Sequence, residues 1–137
     1  MNHSANISHE AVLRARVALL GSEALPLRQQ VAAYRLLAQV SPLVYLPLLA
    51  QALRVYSPHE FAHRPETALA LRAESVAAAR RMYAVEPERA QLLVDSLVAY
   101  AEQLAVMDRA AEARAAESEI ARIRAEHGLP SGPRTGA

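Results

Sequence analysis

The string His59-Glu60-Phe61-Ala62-His63 is where residue types and spacing come nearest to doing chemistry in this chain. In an H-E-x-x-H helix the two histidines sit on one face, at i and i+4. There they ligate Zn²⁺ while the glutamate activates a water. That arrangement demands a regular helix across the whole string and a further ligand beyond it. Here Pro58 and Pro65 bracket the string, so at most a turn or two is expected to form. The carboxylates that follow, Glu66, Glu74, Glu86 and Glu88, have no family context that would make one of them that ligand. The expectation is a turn in which His59 and His63 are solvated and Phe61 plugs the core, with no metal and no cofactor. A small zinc hydrolase using His59, Glu60 and His63 is the runner-up. A continuous helix over residues 55–66 would favour the metal, and a proline-bounded turn would favour a scaffold.

Other chemistry is thinner still. There is no cysteine, which removes disulfides, Cys-based zinc sites and thiol catalysis. The four glycines are isolated, so no phosphate-cradling loop is present. No Ser–His–Asp constellation stands out, and His3 and His9 read as solvent-facing.

The elements that would have to position any site are helical. Alanine and leucine dominate, both strong helix formers, while Trp is absent and there is one Phe. At 137 residues the chain is expected to form one domain. A chain of this size buries roughly 68% of its unfolded surface, enough for a core. All 15 basic residues are arginine, which with so much alanine suggests a high-GC bacterial gene. The net charge is +1 and no segment is strongly basic, so the electrostatic footprint of a nucleic-acid binder is missing. The longest apolar run, Leu43 to Ala50, is too short to span a bilayer. Arg14 and Arg16 interrupt the only apolar stretch near the start, so no secretory segment is expected and a cytoplasmic location is the default.

Six helices are predicted. The first, 8–20, is capped by Ser8 or Asn6 and stopped by Gly21-Ser22. The second spans 23–40 with Pro26 in its first turn. The third covers 43–57 and ends at Ser57-Pro58. The fourth covers 65–85, the fifth 87–105. Asp108 is expected to N-cap the sixth, 109–127, which Gly128 and Pro130 terminate. Residues 1–7 are expected to be a flexible start and 128–137 a disordered tail. Short connections favour antiparallel neighbours, giving three hairpins.

Two helical phrases recur. Val31-Ala32-Ala33-Tyr34-Arg35 through Val40-Ser41-Pro42 is matched by Val76-Ala77-Ala78-Ala79-Arg80 through Val85-Glu86-Pro87, 45 residues later. A fixed internal period is the mark of a repeat protein. Leu46-x-x-Leu49-Ala50-x-x-Leu53 adds a spacing that puts three large residues on one face and lets a partner helix approach at the small one. Ala90-x-x-Leu93-Val94-x-x-Leu97 keeps it. On these phrases, and on Tyr45 and Pro47 beside them, residues 10–127 resemble a tetratricopeptide-like repeat protein of the long-period kind found in high-GC bacteria. The resemblance implies an all-α fold of about three antiparallel hairpins stacked as a short α-solenoid over residues 8–127. It also implies end repeats that cap the array.

Stacked hairpins curve, with alternate helices lining the concave side. Beside the buried stripes, Leu48, Gln51, Arg54 and Val55 on the third helix and Gln91, Leu92 and Asp95 on the fifth would line such a groove. Arg54 is the residue best suited to a carboxylate, because its planar fork pairs bidentately. The expected function is a non-enzymatic scaffold for a protein or peptide partner, without nucleic acid or membrane. Ala113, Ala116, Ile120 and Ile123 of the sixth helix step 3-4-3. That stripe either packs on the fifth helix or forms a homodimer seam through 109–127, in which case the chain would be an oligomer-assembly subunit.

Overall fold

A computed structural model describes residues 8–20, 25–61 and 63–130, and the side chains of 57–60 fall outside that description. Among the described residues the chain is all helix: α1 (His9–Leu20), α2 (Leu27–Ala38), α3 (Pro42–Glu60), α4 (Pro65–Val85), α5 (Ala90–Val106) and α6 (Ala110–His127). The expected flexible start, the Gly21-Ser22 stop and the tail from Ser131 lie outside the described residues.

Local chemistry sets most boundaries. Ser8 caps α1, its Oγ accepting from the N–H of Ala11 at 2.9 Å. Pro26 does not enter α2 as expected. It stands at the N-cap with extended backbone (φ −55°, ψ 146°), and its carbonyl accepts from Gln30. Pro42 and Pro65 each open a helix, where a missing N–H has no intrahelical partner to lose. Pro87 opens a single 3₁₀ turn, Pro87–Arg89, so α5 starts three residues later than expected. The larger correction is α3. It runs through Pro58 to Glu60 instead of stopping at 57. Proline removes one hydrogen bond without forbidding the next turn, and apolar contacts along α3 outweigh the loss.

Asp108 was expected to cap α6 and does not. The N-cap is Arg109, without a side-chain bond. Asp108 instead ends α5, at φ 59°. Its N–H bonds to the Ala105 carbonyl and that of Arg109 to the Leu104 carbonyl. This is the two-bond closure that usually takes glycine in the left-handed position. Gly128 performs the same service for α6 at φ 63°.

Each helix packs on its neighbours in sequence; beyond these, α3 and α5 approach one another among the described residues. Side chains add links between alternate helices. Arg35 of α2 grips Glu74 of α4 with two bonds, at 2.8 and 2.6 Å. Arg80 of α4 grips Glu119 of α6 in the same bidentate way. Both arginines are held above their ordinary pKa, first by these bonds and against some desolvation. Tyr83 and His127 tie α4 to α6 again, hydroxyl to Nε2 at 2.8 Å. The two ion pairs are images of each other: both residues of the second lie 45 positions after those of the first.

The core repeats too. Leu46, Leu49, Ala50, Ala52 and Leu53 of α3 are buried, and so are Ala90, Leu93, Val94, Ser96 and Leu97, each 44 positions on in α5. Val31, Ala33 and Leu37 of α2 are answered by Val76, Ala78 and Met82 of α4 at a spacing of 45. The ends differ. The outward face of α6 is small and polar, with Ala111, Arg114, Ala115, Ser118 and Arg122 exposed. At the other end, α1 leaves Leu13, Val17 and Leu20 exposed.

Asp108→Gly should stabilise the fold by about 0.5–1 kcal/mol, because glycine takes this backbone conformation without a Cβ clash. A thermal melt should show a rise of a few degrees. An unchanged or lower midpoint would mean that the aspartate side chain contributes something the turn needs.

Candidate functional site

Two places were named by the sequence, and the structure separates them. The first is the H-E-x-x-H string. α3 ends at Glu60, Phe61 follows, and His63 stands exposed in the turn before Pro65. The regular helix that would bring position 63 onto the face of position 59 stops between them. The side chains of His59 and Glu60 lie outside the described residues. Phe61 packs edge-on against Tyr56, ring centres 5.2 Å apart, and lies partly buried against the main core. Among the described residues, no three His, Asp or Glu side chains gather in a way that could hold a metal ion.

The second place is the outer face of α3 with its counterpart on α5. Leu48, Gln51 and Val55 follow at three- and four-residue steps and are all exposed. Val44 extends the same stripe one turn earlier and is 57% exposed. The sequence reading missed it, although it lies four residues before Leu48. Arg54 flanks the stripe and is half-buried. Its Nε is shut off from solvent without a hydrogen-bond partner. On α5 the set is tighter: Leu92 and Asp95 are half-buried, and Gln91 donates to Asp95 Oδ1 at 2.8 Å. The 44-residue register makes Leu48 equivalent to Leu92, and Gln51 to Asp95. α3 and α5 touch, and together the two sets offer an apolar stripe with amides, one carboxylate and one guanidinium. Nothing in it resembles a nucleophile with its base.

The stripe on α6 is not free for a seam. Ala113, Ala116, Ile120 and Ile123 are all buried within the chain. Ile120 and Ile123 join the main core, and Ala113 joins Leu69 and Leu104. The packing alternative therefore holds for these four residues.

Comparisons with known proteins add no relative: no family model, curated protein or solved structure matches the chain. No helix among the described residues is long and apolar enough to cross a membrane.

The purified chain should carry zinc far below one equivalent, and His63→Ala should leave both metal content and melting temperature unchanged. Elemental analysis and a melt with and without chelator check this. Stoichiometric zinc lost in the variant would overturn the reading of the string as a helix end and turn.

Proposed function

We propose that the chain is a protein-interaction module of tetratricopeptide-like repeats, and that it holds a peptide segment against the outer faces of α3 and α5. The observation that supports this best is the double recurrence at 44–45 residues. Both the buried positions and the interhelical Arg–Glu pairs repeat at that period. A repeat of helix pairs, each pair contacting the next, grows as an array. Alternate helices then form two rows, with α2, α4 and α6 on one side and α3 and α5 on the other. A segment bound along the second row would meet Val44, Leu48 and Val55 with its apolar side chains. Gln51, Gln91 and Asp95 would bond its polar edges. Arg54, half-buried beside the stripe, would take a carboxylate on its planar fork. No group on this face is arranged to make or break a bond, so the reading is of a scaffold, not an enzyme.

Peptides selected on the full chain from a random displayed library supply the test, with backbone amide shifts as the map. Shifts should concentrate at Leu48, Gln51, Val55, Leu92 and Asp95. For a selected peptide carrying a carboxylate, Arg54→Glu should weaken binding about tenfold or more. Val55→Asp, an exposed change that leaves the core alone, should also weaken it. Shifts confined to α4 or α6, or affinities unmoved by both variants, would overturn the assignment.

A further inference from the structure

Among the described residues α1 packs on α2 alone and buries one side chain, Val12. Leu13, Val17 and Leu20 follow at four- and three-residue steps, which places them on one side of the helix, and Leu20 is 83% exposed. Arg14 and Arg16 stand exposed beside that stripe, with Glu10 in the first turn as the one acid. α1 is thus a short amphipathic helix, apolar on one side and basic at its edges. The faces of α3 and α5 carry the matching chemistry. Val44, Leu48 and Val55 keep helical steps on α3 and are exposed. The only charged residues of α5 are the acids Asp95 and Glu102, and Glu88 stands exposed in the turn before it. Arg89 in that turn is already bonded to Glu86 at 3.1 Å. Asp95 accepts from Gln91 through Oδ1 and, as a carboxylate, has capacity for more donors.

One chain therefore carries two apolar stripes with charges of opposite sign beside them, and its own fold does not bring them together: α1 touches neither α3 nor α5. We infer that the chain self-associates, with α1 of one copy lying along the outer faces of α3 and α5 of a second copy, its apolar stripe on that of α3 and its arginines toward Glu88 and Asp95. Packed helices sit roughly 8–10 Å apart. Arginines of this chain already bridge to the helix beyond their neighbour, as Arg35 of α2 does to Glu74 of α4 and Arg80 of α4 to Glu119 of α6. The other pairings of two copies are poorer. The outward face of α6 would set Arg114 and Arg122 against the α1 stripe. Two α1 helices together would gather four arginines around two glutamates. The inference rests on the reading of the α3 and α5 faces as a binding surface and names the segment they hold. A foreign peptide must then displace α1 of the second copy.

Sedimentation equilibrium of the full chain tests this without any peptide. The apparent mass should rise with concentration, and added salt should weaken the association by screening the arginines from the acids. Val17→Asp on α1 and Val55→Asp on α3 are exposed changes that leave the core alone. Each should weaken association about tenfold or more, as loss of an interface anchor does. A mixture of the two variants should associate better than either alone, because it holds one intact α1 and one intact α3 face. A chain that stays monomeric up to about 1 mM, the weakest affinity of interest, would overturn the inference. So would association untouched by Val55→Asp, as α1 on α1 would give, or a mixture no better than its parts. Selected peptides that still map to α3 and α5 of a monomeric chain would remove this inference and leave the peptide reading standing.

Discussion

Ser75 sits at the centre of the molecule, fully buried, where α3, α4 and α5 come together. Its hydroxyl lies 2.8 Å from the Ala50 carbonyl and 3.0 Å from the Ser96 hydroxyl. With one proton on each hydroxyl, Ser75 donates to Ala50 and accepts from Ser96. Two polar groups can be buried here because each satisfies the other and both are small. Ala50, Ala78, Ala79 and Ala90 are buried in the main core. A core with so little aromatic volume is filled by bringing helices close, and close approach needs small residues where they meet. Larger side chains then fill the gaps above and below, with Leu53, Met82, Leu93 and Leu97 almost wholly buried.

That close contact makes α3–α4–α5 the packed middle of the chain, and the rest follows from it. Position 50 is alanine where its counterpart 94 is valine, and position 52 is alanine where 96 is serine. The register is kept while the filling changes. The ion pairs that join α2 to α4 and α4 to α6 obey the same period, although they are exposed and each contributes little to stability. Their significance is geometric. A bidentate Arg–Glu pair forms only where two helices hold a fixed offset, and the same offset occurs twice. The proposed binding face is then the side of α3 and α5 that this packing leaves uncovered, with its apolar stripe more exposed on α3 than on α5.

The sequence disclosed these features unevenly. The span of α4 and the end of α6 were readable, because Pro65, Glu86-Pro87 and Gly128 punctuate them with unambiguous backbone preferences. Proline misled at two other places. Pro58 was read as a stop and lies inside α3, and Pro26 was read as part of α2 and lies before it. In both, proline's fixed φ fits more than one position, and packing decides among them. Asp108 was assigned to the wrong helix because aspartate serves both as an N-cap and as a tolerable left-handed residue. The exposed residues of α3, Leu48, Gln51 and Val55, stand beside its buried stripe as helical spacing predicts. The contact of Ser75 with Ser96 had no sequence signal, because only packing brings α4 and α5 together.

The most direct test is to add a repeat. Residues 42–86, which carry α3 and α4, can be duplicated in tandem so that Glu86 precedes a second Pro42, in the same context in which it now precedes Pro87. If helix pairs in this chain are interchangeable units of an array, the extended protein should fold cooperatively. Its helical circular dichroism should rise in proportion to the added residues, and its melting temperature should be at or above that of the parent. If the six helices instead form one closed core with a single solution, the insertion should give a broad, non-cooperative melt or an aggregated product, and that result would contradict the repeat reading.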